Sequence, residues 1–195
     1  MERYKKNIEL LQNNNVYSKE MEHDACGVGL VASTQGKKSR EVVEYGIEAL
    51  KAVWHRGAVD ADGKTGDGAG IHLEIPKDFF IEKIEITGHK FDNAEICVGM
   101  IFLPRNNFES QETSRTIIER ELTKSNFSIY GWRQVPVNPK VLGEKADSTR
   151  PEIAQVLFKH NDIDLNGKDL ERRLYETRRK IENEAIKNSL DGLYI

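Results

Sequence analysis

The chain has 195 residues, 29 basic and 32 acidic, with a formal net charge of −3. One domain with a buried core fits this length, and the near-balanced charge excludes the basic footprint that nucleic acid or an anionic membrane would demand. No apolar run approaches the roughly 18 residues of a membrane-spanning helix, and the two cysteines, Cys26 and Cys97, match no metal-ligand spacing.

Residues 1–25 form a leader in which Arg3, Lys5 and Lys6 are followed by Glu9, Glu20, Glu22 and Asp24. It has no apolar centre for secretion, and its acids argue against a mitochondrial address. A cytoplasmic protein is expected, and in that compartment a structural disulfide is not. The stretch "GVGLVAS" (27–33) is short, apolar and β-branched, which predicts a buried strand. "TQGKKS" (34–39) is a turn with Gly36 available for positive φ. Ser39 then caps a helix running to about Trp54, whose face is Val42, Val43, Ile47, Leu50, Val53 and Trp54, with Gly57 to stop it. A glycine-rich loop, "HRGAVDADGKTGDGAG", occupies 55–70.

Further along, "IHLEIP" (71–76) predicts a strand ended by Pro76, and "KDFFIEKI" a short helix. "EICVGMIFLP" (95–104) predicts a strand containing Cys97. A helix is expected at 110–125, strands at 127–137 and 152–160, and a long charged helix at 167–190. Strands and helices mix without strict alternation, so the expected class is α+β. "GLYI" (192–195) opens what reads as one more strand, so a fragment of a longer protein is expected.

Several chemistries fail on spacing. A phosphate-cradling P-loop needs four residues between its glycines so that successive N–H groups converge, but Ala58 to Asp62 puts five between Gly57 and Gly63. A calcium loop starting at Asp60 would place Lys64 at a ligand position, Thr65 where glycine is required and Ile71 where glutamate is required. His23, His55, His72, His89 and His160 form no HxxxH or HExxH pair, so no metal site is expected. The charges of "RRLYETRRKIENE" (172–184) alternate in sign, as on a solvated helix face. Cys97, inside an apolar run, reads as a small buried hydrophobe. Cys26 has no apolar segment before it and so no lipoprotein signature. Local pattern leaves it as either a core thiol or a reactive one.

"CGVGLVAS" from Cys26, "GIEALKAVWHRGAVDADGKTGDGAGIHLEIP" (46–76) and "IYGWRQVPVNPKVLGEKADSTRPEI" (129–153) together resemble one family. It is the class II glutamine amidotransferase domain at the start of the large subunit of bacterial glutamate synthase. The likeness runs from about Glu22 to the C-terminus. The cysteine-glycine start and the His55-Arg56-Gly57 motif are general to class II amidotransferases, whereas "DADGKTGDGAGI" points to glutamate synthase.

The resemblance implies an N-terminal-nucleophile hydrolase, a four-layer αββα sandwich that is incomplete in this chain. It implies that residues 1–25 are a propeptide and 26–195 the N-terminal portion of the amidotransferase domain. Cys26 is then the nucleophile, with Arg56 and Gly57 supporting it. The chemistry needs a base close to the thiol. A thiol has a reference pKa near 8.5 and a free α-amino group one near 7.7–8.0, so cleavage after Ala25 would create a partly neutral base on the same residue. Asp60, Asp62 and Asp67 would shape the loop.

The implied reaction converts L-glutamine to glutamate and ammonia through a cysteinyl thioester, the ammonia passing to 2-oxoglutarate elsewhere in the full enzyme. The implied partners are L-glutamine, the remainder of the large subunit and a small reductase subunit. No cofactor is expected within this chain. FMN and an iron–sulfur cluster belong to other parts of the full-length family. The family's glutamine-binding "RYST" and oxyanion "HNG" segments are missing, since Asn166-Gly167 follows Leu165 rather than His. One missing oxyanion donor costs about 3–4 kcal/mol of barrier, so the fragment alone is expected to be inactive. Two other readings remain open: a different class II amidotransferase, such as an amidophosphoribosyltransferase relative, and a non-catalytic interaction fragment that kept the fold.

Overall fold

The structure is a computed structural model that describes Lys6, Leu10, residues 27–53 and residues 57–195. It divides into a smaller unit, Met1–Val59 with Gly66–Ile71, and a larger one, Asp60–Thr65 with His72–Ile195.

In the smaller unit the turn forms as its residues predict. Gly36 adopts φ 64° and its N–H donates to the Ser33 carbonyl at 3.1 Å. Helix α1 (Arg40–Ala52) starts at Ser39, whose hydroxyl accepts from the Val42 N–H at 3.4 Å. Val42, Val43, Ile47, Leu50 and Val53 lie along its half-buried side. The helix ends two residues before Trp54, so Gly57 is not its stop. Residues 27–33 do not form the expected strand. They form no β-ladder among the described residues, and Val28 and Leu30 are each 92% exposed. β-propensity describes fit to a half-buried pleated surface, and a strand needs a partner for its N–H and C=O groups.

The same correction applies to 71–76, which has no ladder partner among the described residues. Pro76 does not end a strand there but lies at the N-cap of α2 (Lys77–Ile86). The other elements of the larger unit are β1 (Cys97–Leu103), α3 (Phe108–Lys124), β2 (Phe127–Gln134), a short 3₁₀ turn (Pro139–Val141), α4 (Glu144–Thr149), β3 (Glu152–His160) and α5 (Gly167–Lys187). The β3 span coincides with its sequence expectation.

The sheet has the order β1-β3-β2, with both outer strands antiparallel to β3. As the central strand, β3 is buried on both faces from Ala154 to Phe158. On one face Cys97, Ile101, Leu103, Val156 and Phe158 pack with Ile117, Ile118 and Leu122 of α3 and Leu170 and Ile181 of α5. On the other, Tyr130 and Leu157 pack with Phe80 and Ile84 of α2. That second face is only partly covered, and Met100 remains 41% exposed. The 192–195 stretch begins to pair as expected: Tyr194 exchanges two backbone hydrogen bonds with Phe102 on the free edge of β1, at 2.8 and 3.0 Å. Helices α3 and α5 are joined through Arg120, which binds Glu121 and Glu184, each at 2.8 Å.

β2 carries a bulge between Ile129 and Gly131. The extra residue reverses the facing of the side chains after it. Phe127 and Ile129 point to the α3 side, Tyr130 to the α2 side, and Trp132 returns to the α3 side, where its indole N–H donates to Glu119 at 2.7 Å. Gly131 is required twice over. Its φ is 152°, and a Cβ there would lie 2.9 Å from Thr87 Cγ2.

Candidate active site

Of the residues expected at the site, Cys26, His55 and Arg56 lie outside the described residues, and Gly57 is exposed. From Gly57 the chain enters a hairpin. In the smaller unit its arms are tied by an antiparallel bridge between Val59 and Gly66 and by the Ala58 N–H donating to Asp67 Oδ2 at 2.7 Å. The tip, residues 60–65, belongs to the larger unit. There the Asp60 N–H donates to the Thr65 carbonyl at 2.8 Å, and the Gly63 N–H to the Asp60 carbonyl at 2.9 Å, with Gly63 at φ 69°.

Asp62 organises the tip. Its Oδ1 accepts from the N–H groups of Lys64 (2.9 Å) and Thr65 (2.7 Å), and its Oδ2 from the Thr65 hydroxyl (2.6 Å). These donors, the Thr65 hydroxyl foremost, hold its carboxyl far below the usual carboxylate range. The tip is fastened to α4. The Ala146 N–H donates to Thr65 Oγ1 at 3.3 Å, and the Lys145 ammonium pairs with Asp60 at 2.5 Å, lowering that carboxyl too. Gly143, buried just before α4, leaves no space for a side chain. A Cβ there would fall on Asp62 Oδ2 and Thr65 Oγ1 and within 2.5 Å of the Thr65 nitrogen.

This geometry gives Asp60, Asp62 and Asp67 the loop-shaping role expected of them. Each carboxylate is engaged by donors of its own hairpin or of Lys145. Thr65, Gly143, Lys145 and Ala146 are the residues that sequence reasoning missed. The Lys145–Asp60 pair spans 85 positions, and no local periodicity signals it. The only available signal was that "GEKAD" lies within one of the stretches carrying the family likeness.

Cys97 is a buried residue of β1, and burial, reinforced by Glu95 and Glu171, pushes its thiol up to about 12. It is a core side chain and not a nucleophile at neutral pH. Among the described residues no cluster of three His, Cys, Asp or Glu side chains could hold a metal ion, and no helix is long and apolar enough to cross a membrane.

The family model described as "Glutamine amidotransferases class-II" matches residues 26–195, from Cys26 to the last residue. The chain belongs to the class-II glutamine amidotransferases. This amidotransferase is 48% identical over 192 residues to the NADPH glutamate synthase large chain of Azospirillum brasilense, covering 98% of this chain and 13% of that relative. It is 38% identical over 174 residues to the ferredoxin-dependent glutamate synthase of Pyropia yezoensis, covering 89% of this chain and 11% of the relative. A ferredoxin-dependent glutamate synthase of Arabidopsis thaliana is 39% identical over 169 residues, covering 86% and 10%. The amidotransferase chain thus spans a small part, 10–13%, of the curated relatives it matches.

Proposed function

We propose that this amidotransferase hydrolyses L-glutamine with Cys26 as nucleophile, as the ammonia-producing part of a glutamate synthase. Residues 1–25 are the propeptide and 26–195 the N-terminal portion of the amidotransferase domain. Cleavage of the Ala25–Cys26 bond converts an amide nitrogen, which cannot take up a proton, into an α-amine that can. The amine receives the thiol proton as Sγ attacks the side-chain amide carbon of glutamine. It returns a proton to the departing nitrogen, so that ammonia leaves and a γ-glutamyl thioester remains. Water then cleaves the thioester, releasing glutamate and restoring the thiol. Arg56 and Gly57 support the cysteine end of the site.

The observation that carries this reading is the start of the family match on Cys26. It is supported by the other cysteine, whose thiol is buried and pushed up to about 12. The likeness to glutamate synthases favours that enzyme over an amidophosphoribosyltransferase relative. In the whole protein the ammonia would meet 2-oxoglutarate, with FMN and an iron–sulfur cluster in other domains and a small reductase subunit as partner. The residues here do not suit such a cluster, which takes cysteine thiolates in sets of four, whereas this chain has Cys26 and a buried Cys97. We place the protein in the cytosol. The three-stranded sheet with its partly open α2 face supports one half of a four-layer αββα sandwich.

Covalent labelling tests the assignment. A glutamine-analogue electrophile incubated with the full-length protein should modify the peptide beginning at Cys26 and leave Cys97 untouched. Label on another residue, with Cys26 free, would overturn the assignment.

A further inference from the structure

We propose that Asn166 is a modification site, where the backbone nitrogen of Gly167 attacks the side-chain amide and expels ammonia. The site lies wholly within the larger unit and is independent of the glutaminase reading. In this step the Gly167 nitrogen bonds to Asn166 Cγ and the Cγ–Nδ2 bond breaks. The proton of the attacking N–H leaves with the ammonia. Water then opens the cyclic imide. Opening at Cγ gives aspartate, and opening at the main-chain carbonyl gives isoaspartate.

Asparagine is a thermolabile residue, and two conditions select which one reacts. The nitrogen that follows it must be free to attack, and the residue that follows must not crowd the ring. Asn166 is exposed, and it is the one asparagine of the chain followed by glycine, which has no Cβ to obstruct closure. Gly167 opens α5, where the first N–H groups find no carbonyl of their own helix. Its N–H makes no hydrogen bond among the described residues. A Cβ on Gly167 would meet nothing within 4 Å, so there is room for the ring and for water. The Asn166 side chain makes no cap bond to α5, and its Nδ2 donates to the Asp164 carbonyl at 2.9 Å.

Other asparagines are held in ways that Asn166 is not. Asn107 and Asn138 spend their side-chain oxygens on the N–H groups of Ser110 at 2.9 Å and Lys140 at 3.3 Å, and Pro139 has no N–H with which to attack. The nitrogen after Asn161 donates to His160 Nδ1 at 3.1 Å. Asn188 precedes the small Ser189, but the Ser189 N–H donates to the Ile186 carbonyl at 3.0 Å. The two products at position 166 differ in consequence. Aspartate brings a negative charge that suits the N-terminal end of α5. Isoaspartate lengthens the main chain by one carbon, four residues before the buried Leu170 that ties α5 to the core.

The test incubates the full-length protein, folded, in warm and mildly alkaline buffer. Samples are digested at intervals under mildly acidic conditions, and the peptides are sequenced by mass spectrometry. The expected result is the mass gain of an amide-to-acid exchange at Asn166 before any at Asn107, Asn161 or Asn188, with aspartyl and isoaspartyl forms that separate by chromatography. In Asn166→Gln the gain at this position should disappear, because the longer side chain would have to close a larger ring. In denaturant Asn188 should convert faster than in the folded protein, since the Ser189 N–H is released. An Asn166 that keeps its amide in the folded protein would overturn the proposal, and so would earlier conversion of Asn107, Asn161 or Asn188. An Asn188 rate unchanged by denaturation would overturn the selection by free N–H groups. Where Asn166→Gln does not accumulate folded protein, the time course of the parent decides alone.

Discussion

Cys26→Ser in the full-length protein should abolish glutamine-dependent glutamate formation, by at least about 10³-fold, and leave ammonia-dependent formation at the parental rate. The serine is smaller by little and places its oxygen where the sulfur was. A hydroxyl is far less acidic than a thiol, however, and an α-amine of pKa near 8 removes its proton poorly. The second activity bypasses the thioester because ammonia is supplied directly, so its survival separates lost chemistry from lost folding. Retained glutamine use would place the nucleophile elsewhere. Cys97 could not easily replace it, since it lies in β1 with its thiol pushed up to about 12. Loss of both activities would mean that Cys26 supports the fold and not the reaction alone.

Gly143→Ala should be the most damaging single methyl addition in the larger unit. Its backbone, at φ −73°, is open to any L residue, so only space demands glycine here. That space is taken by Asp62 Oδ2, Thr65 Oγ1 and the Thr65 nitrogen, which are held by their own hydrogen bonds and cannot yield singly. Overpacking a site of this kind costs about 1–3 kcal/mol. For a chain of this size that lowers the melting temperature by about 2–4 °C per kcal/mol. A variant that melts with the parent would contradict the packing of residues 60–65 against Gly143.

Legibility in the sequence tracked the range of the interactions concerned. Strand β1 was readable because it is a continuous apolar run, β3 because only Gln155 interrupts its apolar run from Ile153 to Phe158, and α5 because Leu170, Leu174, Ile181 and Ala185 recur at helical spacing. The cap at Ser39 and the turn at Gly36 were readable because their partners lie within three residues. Residues 27–33 and 71–76 were misread for a single reason: apolar composition resembles a strand, but pairing is settled by a partner that composition does not name. The bulge in β2 left a trace that alternation alone overlooks. Phe127 and Ile129 share a parity that Trp132 breaks, and Gly131 stands at the break. Helix α4 was missed because it has six residues and no buried face of its own.

The candidate site divides in the same way. Cys26, Arg56 and Gly57 were found through a motif, and of these the structure describes Gly57 alone. The loop-shaping role of Asp60, Asp62 and Asp67 was expected alongside the family resemblance, and their hydrogen bonds agree with it. Their anchors on α4 were invisible, because nothing local in "GEKAD" refers to a loop so distant in sequence.

In the proposed reaction the nucleophile acts with its own freed amine. Intact-mass measurement of the purified full-length protein, taken on a sample actively hydrolysing glutamine, tests it most directly. The active chain should begin at Cys26 and lack Met1–Ala25. A chain that retains those 25 residues and still hydrolyses glutamine would contradict it.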